Sequence, residues 1–198
     1  MKSGKMKIIG IDPGADNIGV SEYEFSYQQL NTGYSGKSYL DEYYVWHPKK
    51  KADERLIEIY NFFIRTFKYP TGHYDEMHVF IENVPAVSGN ANTAAILHQI
   101  TAAIKIPMLL NQFTITQIYP GQWKKEVIGD GAGNWKKDKI MHWARGNQFP
   151  IDDEELTEDM VDALCIGMCG LKRLSAKMKL KIDNFATREQ IMQSSIAT

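Results

Sequence analysis

The sequence predicts an α/β fold, with a mixed five-stranded sheet of three antiparallel strands followed by parallel additions, flanked by helices. Three observations predict it. Residues 6–12 and 77–82 are nearly continuous apolar runs, as expected of central strands covered on both faces. Residues 17–25 and 38–46 are rich in Val, Tyr and Phe and directly follow the first run, so three strands come before any helix. After that, helical and strand patterns alternate, which calls for helices packed on both sides of one sheet.

The elements follow in order. The first strand ends in Asp12-Pro13-Gly14, a turn signal. Strands two and three flank a polar loop over residues 26–37. Residues 52–68 carry Leu56, Ile59, Tyr60, Phe63 and Phe67 on one stripe, which makes them a helix stopped by Pro70-Thr71-Gly72. Strand four, residues 77–82, is followed by an Ala-rich helix over 90–105, with Asn90 or Asn92 as its cap. Residues 106–110 and 113–119 bracket a short turn and supply strand five. Pro120 opens a short helix, where its missing N–H costs nothing. A glycine-rich loop over 130–134, a helix over 136–145 and a last helix over 158–174 complete a domain at 1–174. The polar remainder, 175–198, is expected to be a C-terminal tail.

Bulk properties restrict function. The chain has 198 residues, 43% hydrophobic and 24% charged, with a net charge of -1, which suits one globular domain and excludes a generic polycation. No run approaches the roughly eighteen uninterrupted apolar residues of a membrane span. Met1-Lys2-Ser3-Gly4-Lys5 is not followed by the apolar stretch of a signal peptide, so a cytoplasmic location is expected, and no membrane partner. Cys165 and Cys169, the only cysteines, are expected to pack as small hydrophobes in a reducing compartment. Charge is unevenly spread: residues 150–163 carry -7, between net +3 over 124–145 and +5 over 171–188. That pattern suits a metal site flanked by phosphate contacts, or else simply solvated faces.

Four carboxylates stand out. Asp12 and Glu82 each end an apolar strand, and Asp159 and Asp162 lie three apart where the last helix begins. A carboxylate at the end of a buried strand is penalised by desolvation unless positive charge is near. Residues i and i+3 of a helix are neighbours, so Asp159 and Asp162 share a face. Hard divalent cations take carboxylate oxygens, water and phosphate. The four acids are therefore candidate metal ligands, in a ribonuclease-H-like order of elements.

The motifs resemble those of the RuvC-type Holliday-junction resolvases, over roughly Met6 to Leu174. Ile9-Gly10-Ile11-Asp12-Pro13-Gly14 resembles the family's opening strand and turn, and Ile81-Glu82-Asn83-Val84 its second acidic motif. Gly89-Asn90-Ala91-Asn92-Thr93-Ala94 resembles the segment that opens the next helix, and Asp159-Met160-Val161-Asp162-Ala163-Leu164 the closing motif. Gly-Ile-Asp-Xaa-Gly alone would also fit actin-like ATPases and sugar kinases; the ordered set is what carries the resemblance. By the same resemblance Lys124, in Gln122-Trp123-Lys124-Lys125, and Lys137, in Lys136-Lys137-Asp138-Lys139, act at the scissile phosphate, while Lys125, Lys136, Asn90 and Asn92 contact DNA. One departure stands in the motif: Pro85 occupies the place of the family's aromatic wedge.

The resemblance implies a Mg2+-dependent crossover junction endodeoxyribonuclease, Mn2+ substituting, with two ions per site held by Asp12, Glu82, Asp159 and Asp162 and no small organic cofactor. Paired hydrolysis of a four-way junction would leave 5'-phosphate and 3'-hydroxyl ends. A C2 homodimer, joined through the helix at 90–105, suits the two-fold symmetry of the junction. Two alternatives share these residues: a nuclease of broader branched-DNA specificity (forks, flaps, Y-junctions) and a non-catalytic junction-binding protein. The composition also suits a bacteriophage member, acting in the host cytoplasm. His47, His73, His78, His98 and His142 fall on no shared motif and are expected on the surface or in packing, with His98 and His142 on helices that approach DNA.

Overall fold

The computed structural model describes residues 3–30, 33–68, 74–84, 91–146, 156–177 and 180–187. Strands β1 (Ser3–Pro13), β2 (Ile18–Leu30) and β3 (Gly33–Trp46) form an antiparallel meander. Strand β4 (Glu76–Glu82) lies parallel to β1, and β5 (Thr114–Ile118) parallel to β4. These five are the expected mixed sheet. A sixth strand, β6 (Leu180–Thr187), pairs parallel with β3, so the order across the sheet is β5-β4-β1-β2-β3-β6. It falls within the segment expected as a polar tail. The helices are α1 (Ala52–Thr66), α2 (Ala91–Leu110), α3 (Pro120–Val127), α4 (Lys137–Gly146) and α5 (Glu158–Lys177), with a 3-10 turn at Ala132–Asn134.

Burial follows strand alternation. Ile9 and Ile11 of β1 face Ile18 and Val20 of β2, and α1 and α2 cover that side with Ile59, Phe63, Ile100 and Ile104. Met6 and Ile8 point the other way, into a core with Tyr23, Phe25, Trp123, Ile140, Val161 and Leu164 from β2 and α3 to α5. Both faces of β1 are thus buried, which accounts for its continuous apolar run.

Two expectations need correction. Within the expected loop 26–37 the described residues are strand, not loop: β2 continues to Leu30 and β3 begins at Gly33, paired from Ser26↔Lys37 to Leu30↔Gly33, because backbone pairing outweighs polar composition. Nor does the Ala-rich helix end at residue 105. It runs to Leu110 with Pro107 and Met108 buried on its inner face, and the chain turns only at Gln112, in a left-handed conformation (φ 63°). Packing there overrides the helix-breaking tendency of proline. By length and composition α2 could cross a membrane; here its inner side covers the sheet.

What positions the site is the closeness of α5 to β1 and β2. A Cβ on Gly10 would collide with the carbonyl oxygen of Ala163, and one on Gly19 with that of Asp159. Only hydrogen at these two positions lets the helix lie against the strands. Hydroxyls of β2 then pin it: Ser21 Oγ donates to the carbonyl of Ala163 at 2.7 Å, and Tyr23 to that of Leu164 at 3.0 Å.

Candidate active site

Parallel neighbours β1 and β4 end at the same edge of the sheet, with Ile11 opposite Ile81, so Asp12 and Glu82 follow side by side. The first turns of α5 bring Asp159 and Asp162 to this edge. The four acids share one electrostatic neighbourhood. Burial, then the charges of Glu82, Asp162 and Asp159, push the Asp12 carboxyl well above the ordinary carboxylate range. Burial and Glu82 raise Asp162 to about 7, against the partial offset of Lys137 and Lys124. Burial also raises Glu82, although a hydrogen bond from Trp123 and the fields of Lys124 and Lys137 act in the opposite direction.

The cations come from the α3–α4 side. Lys137 Nζ lies 3.1 Å from Glu158 Oε2 and 3.9 Å from Asp159 Oδ1. Burial works against its charge, but Glu158, Asp159 and Asp162 outweigh that and hold the ammonium above its ordinary range. Lys124 Nζ donates to the carbonyl of Trp135 at 3.1 Å and stands 5.4 Å from the Trp123 ring centre. Both lysines named from the resemblance therefore reach the acids electrostatically. Lys125 instead pairs with Asp130 at 3.5 Å, and among the described residues no ion pair joins the exposed Lys136 to the acids. Asn92 is exposed in the first turn of α2; Asn90 and Pro85 lie outside the described residues.

Three residues at the site carried no role in the sequence reading. Trp123, fully buried, donates its indole N–H to Glu82 Oε2 at 2.8 Å. Its signal in the sequence is a general one: a buried tryptophan needs a partner for its N–H. Asn17 Nδ2 donates to Asp159 Oδ2 at 2.9 Å. His47 Nδ1 donates in turn to Asn17 Oδ1 at 2.8 Å, the tautomer following from the amide oxygen being an acceptor. Residues 17, 47 and 159 are far apart in sequence, and only the sheet joins them.

Trp123 and Lys124 are held in place from behind. Glu126 of α3 accepts from Arg173 Nη2 and Nε at 2.6 and 2.9 Å and from Cys169 Sγ at 3.2 Å, and its backbone carbonyl accepts from Lys172 Nζ at 2.9 Å. That clamp ties α3 to α5. Part of the basic stretch that begins at residue 171 is therefore engaged structurally. Cys165 and Cys169 are free and buried, as expected; burial pushes both thiols up, Cys169 to about 12, so neither is a ready thiolate.

Residues 8–170 match the family model described as "Crossover junction endodeoxyribonuclease RuvC". A RuvC of that description from Chloroherpeton thalassium is 28% identical over 167 residues, covering 83% of this chain and 81% of the relative. One from Thermotoga maritima is 24% identical over 171 residues, covering 84% and 90%. Among solved structures, Thermus thermophilus RuvC superimposes with a TM-score of 0.62 at 18% identity, covering 87% of this chain and 98% of that one. The same protein in complex with a Holliday junction substrate gives 0.60 at 17% identity, covering 87% and 96%. With the family model spanning most of its length, the chain belongs to the RuvC family of crossover junction endodeoxyribonucleases.

Proposed function

We propose that this protein is a divalent-cation-dependent endonuclease that resolves four-way DNA junctions through Asp12, Glu82, Asp159 and Asp162. The convergence of these acids from β1, β4 and α5 beside Lys124 and Lys137 carries the reading. Four half-buried carboxylates set together repel one another and would repel phosphate; the two lysines offset only part of that charge. An all-oxygen donor set of this kind fits Mg2+, with Mn2+ as a substitute, and two ions per site match the number of ligands. Bound there, the ions would acidify an attacking water and stabilise the departing 3' oxygen. Among the described residues no three of these acids already converge at coordinating distance. Glu82 accepts from Trp123 and Asp159 from Asn17, so each of these two acids has a protein group that orients it.

The protein groups do the rest. Lys124 and Lys137 stand where an ammonium can offset charge that develops on the scissile phosphate. Trp123 orients Glu82 and shields it from water. The substrate reading is supported by the family match, since relatives across most of this chain's length are named as crossover junction endonucleases. Cleavage of junction DNA is work for a cytoplasmic protein, which supports the expected location.

Two matched nicks call for two sites, and α2 supplies a surface for pairing. Ile96, Ile106, Leu109 and Leu110 are 45–62% exposed along it, interspersed with the small exposed side chains Ala95 and Ala102. A homodimer that buries this stripe would present two equal catalytic edges.

Synthetic four-way, Y-shaped and duplex DNA, each incubated with Mg2+, Mn2+ or excess chelator, test the proposal. Paired cuts in the four-way substrate with 5'-phosphate ends, lost in chelator and in Asp12→Asn, are expected. Undiminished cutting in chelator, or equal cutting of duplex, overturns it.

A further inference from the structure

The segment 47–51 that joins β3 to α1 lies on the catalytic edge of the sheet. Trp46 pairs with Ile18, and Ile18 with Pro13, so the ends of β3, β2 and β1 stand in one row, with Asp12 one residue before Pro13. Strands are spaced by about 4.8 Å, which puts the end of β3 on the order of 10 Å from the end of β1. Along a duplex that distance corresponds to roughly three base steps.

This loop is held unusually firmly. Arg55 Nε donates to the Lys50 carbonyl at 3.2 Å, while its Nη1 donates to the Ala15 carbonyl at 2.7 Å and lies 3.3 Å from Asp16 Oδ1. The Lys50 backbone N–H donates to Glu58 Oε2 at 2.8 Å, and His47 is bonded to Asn17. One arginine thus joins the loop to the turn that follows Asp12.

Its charges are not equally committed. Arg55 is spent on these contacts, and Lys50 faces Glu54 at 3.9 Å. Lys49 and Lys51 are exposed and have no ion pair among the described residues. Nearby Asp53 stands in the first turn of α1, where the helix dipole favours a negative charge. A rigid backbone that presents two uncommitted ammonium groups beside an anion-cutting edge is what a phosphate contact requires. Lys124 and Lys137 approach the acids from the α3–α4 face of the sheet, whereas this loop approaches from the α1 face.

We propose that the His47–Lys51 loop is a DNA-backbone clamp, in which Lys49 and Lys51 bind phosphates flanking the cut strand on the side opposite Lys124 and Lys137. The inference rests on the nuclease reading above. Its role is in holding substrate, not in the chemical step.

The test uses the full chain, an immobile synthetic four-way junction and Mg2+, comparing wild type with Lys49→Ala/Lys51→Ala and Lys49→Arg/Lys51→Arg. Single-turnover cleavage is measured against enzyme concentration at several salt concentrations. For the alanine pair the half-saturating enzyme concentration should rise about tenfold, and the log–log salt slope should fall by about one to two, as expected for two lost phosphate contacts. The limiting rate should stay within about twofold, and the arginine pair should recover wild-type half-saturation. An alanine pair with unchanged half-saturation and slope overturns the clamp, as does a fall confined to the limiting rate. Wild type that fails to cut the junction at all defeats the nuclease reading itself, and the clamp falls with it.

Discussion

Trp123 of α3 donates its indole N–H to Glu82 of β4 at 2.8 Å, joining a fully buried ring to one of four clustered acids. The bond favours the charged carboxylate, against burial, which favours the neutral one. Trp123→Phe keeps much of the packing and removes the donor. Glu82 should then hold its proton to higher pH, and the acidic limb of the cleavage pH profile should move upward. At pH 7 the rate should fall on the order of tenfold, with about 1–2 kcal/mol of stability lost in a denaturant titration. A profile superimposable on wild type would show that the bond does not set the state of Glu82.

Asn17 holds Asp159 from the other side. Asn17→Ala should slow single-turnover cleavage, because the carboxylate loses the partner that aims it. Asn17→Asp should be worse than alanine, since it replaces a donor with a fifth negative charge. Rates ranked wild type, alanine, aspartate are expected; an aspartate variant as fast as wild type would exclude the aiming role.

The charge cluster makes stability depend on pH in a definite direction. An unfolded aspartate titrates near pH 3.9, whereas Asp162 in the fold is raised to about 7 by burial and Glu82. Between these values the folded chain holds more protons than the unfolded one, so raising the pH destabilises the fold. In excess chelator the melting temperature should therefore drop between pH 5 and 8, by roughly 5 °C or more. Asp162→Asn should flatten that slope, and saturating Mg2+ should restore the melting temperature at pH 8. A flat profile for wild type in chelator would contradict the raised carboxyl.

Gly10 and Gly19 let α5 lie on the sheet, and an added methyl at either meets helix backbone rather than a movable side chain. Gly19→Ala should cost about 1–3 kcal/mol in denaturant unfolding, as overpacking does. It should also lower cleavage more than stability alone explains, because the collision is with the carbonyl of Asp159. Full activity in a folded Gly19→Ala protein would show that the site tolerates displacement of α5.

Much of this architecture is written in local pattern. Continuous apolar runs mark β1 and β4 as central strands, and the stripe through Leu56, Ile59 and Phe63 marks α1. Local signals fail where tertiary contacts outweigh them. Residues 26–30 and 33–37, in a polar stretch, are drawn into β2 and β3 by strand pairing, and Pro107 stays inside α2 because its neighbours bury it. Residues 180–187, within a C-terminal stretch that is polar taken as a whole, gain a place in the sheet through the edge of β3.

The sequence by itself determined the carriers of charge: four acids at strand ends and a helix start, two lysines in motifs, and the glycines between them. Only the tertiary structure decided what surrounds those charges. Trp123 against Glu82, the line from His47 through Asn17 to Asp159, and the lysine loop tied to the Asp12 turn all join residues distant in the chain. Hydrogen bonds and desolvation depend on separation in space, and a linear pattern specifies that separation only within an element. How strongly each acid holds its proton is thus a property of the assembled sheet edge.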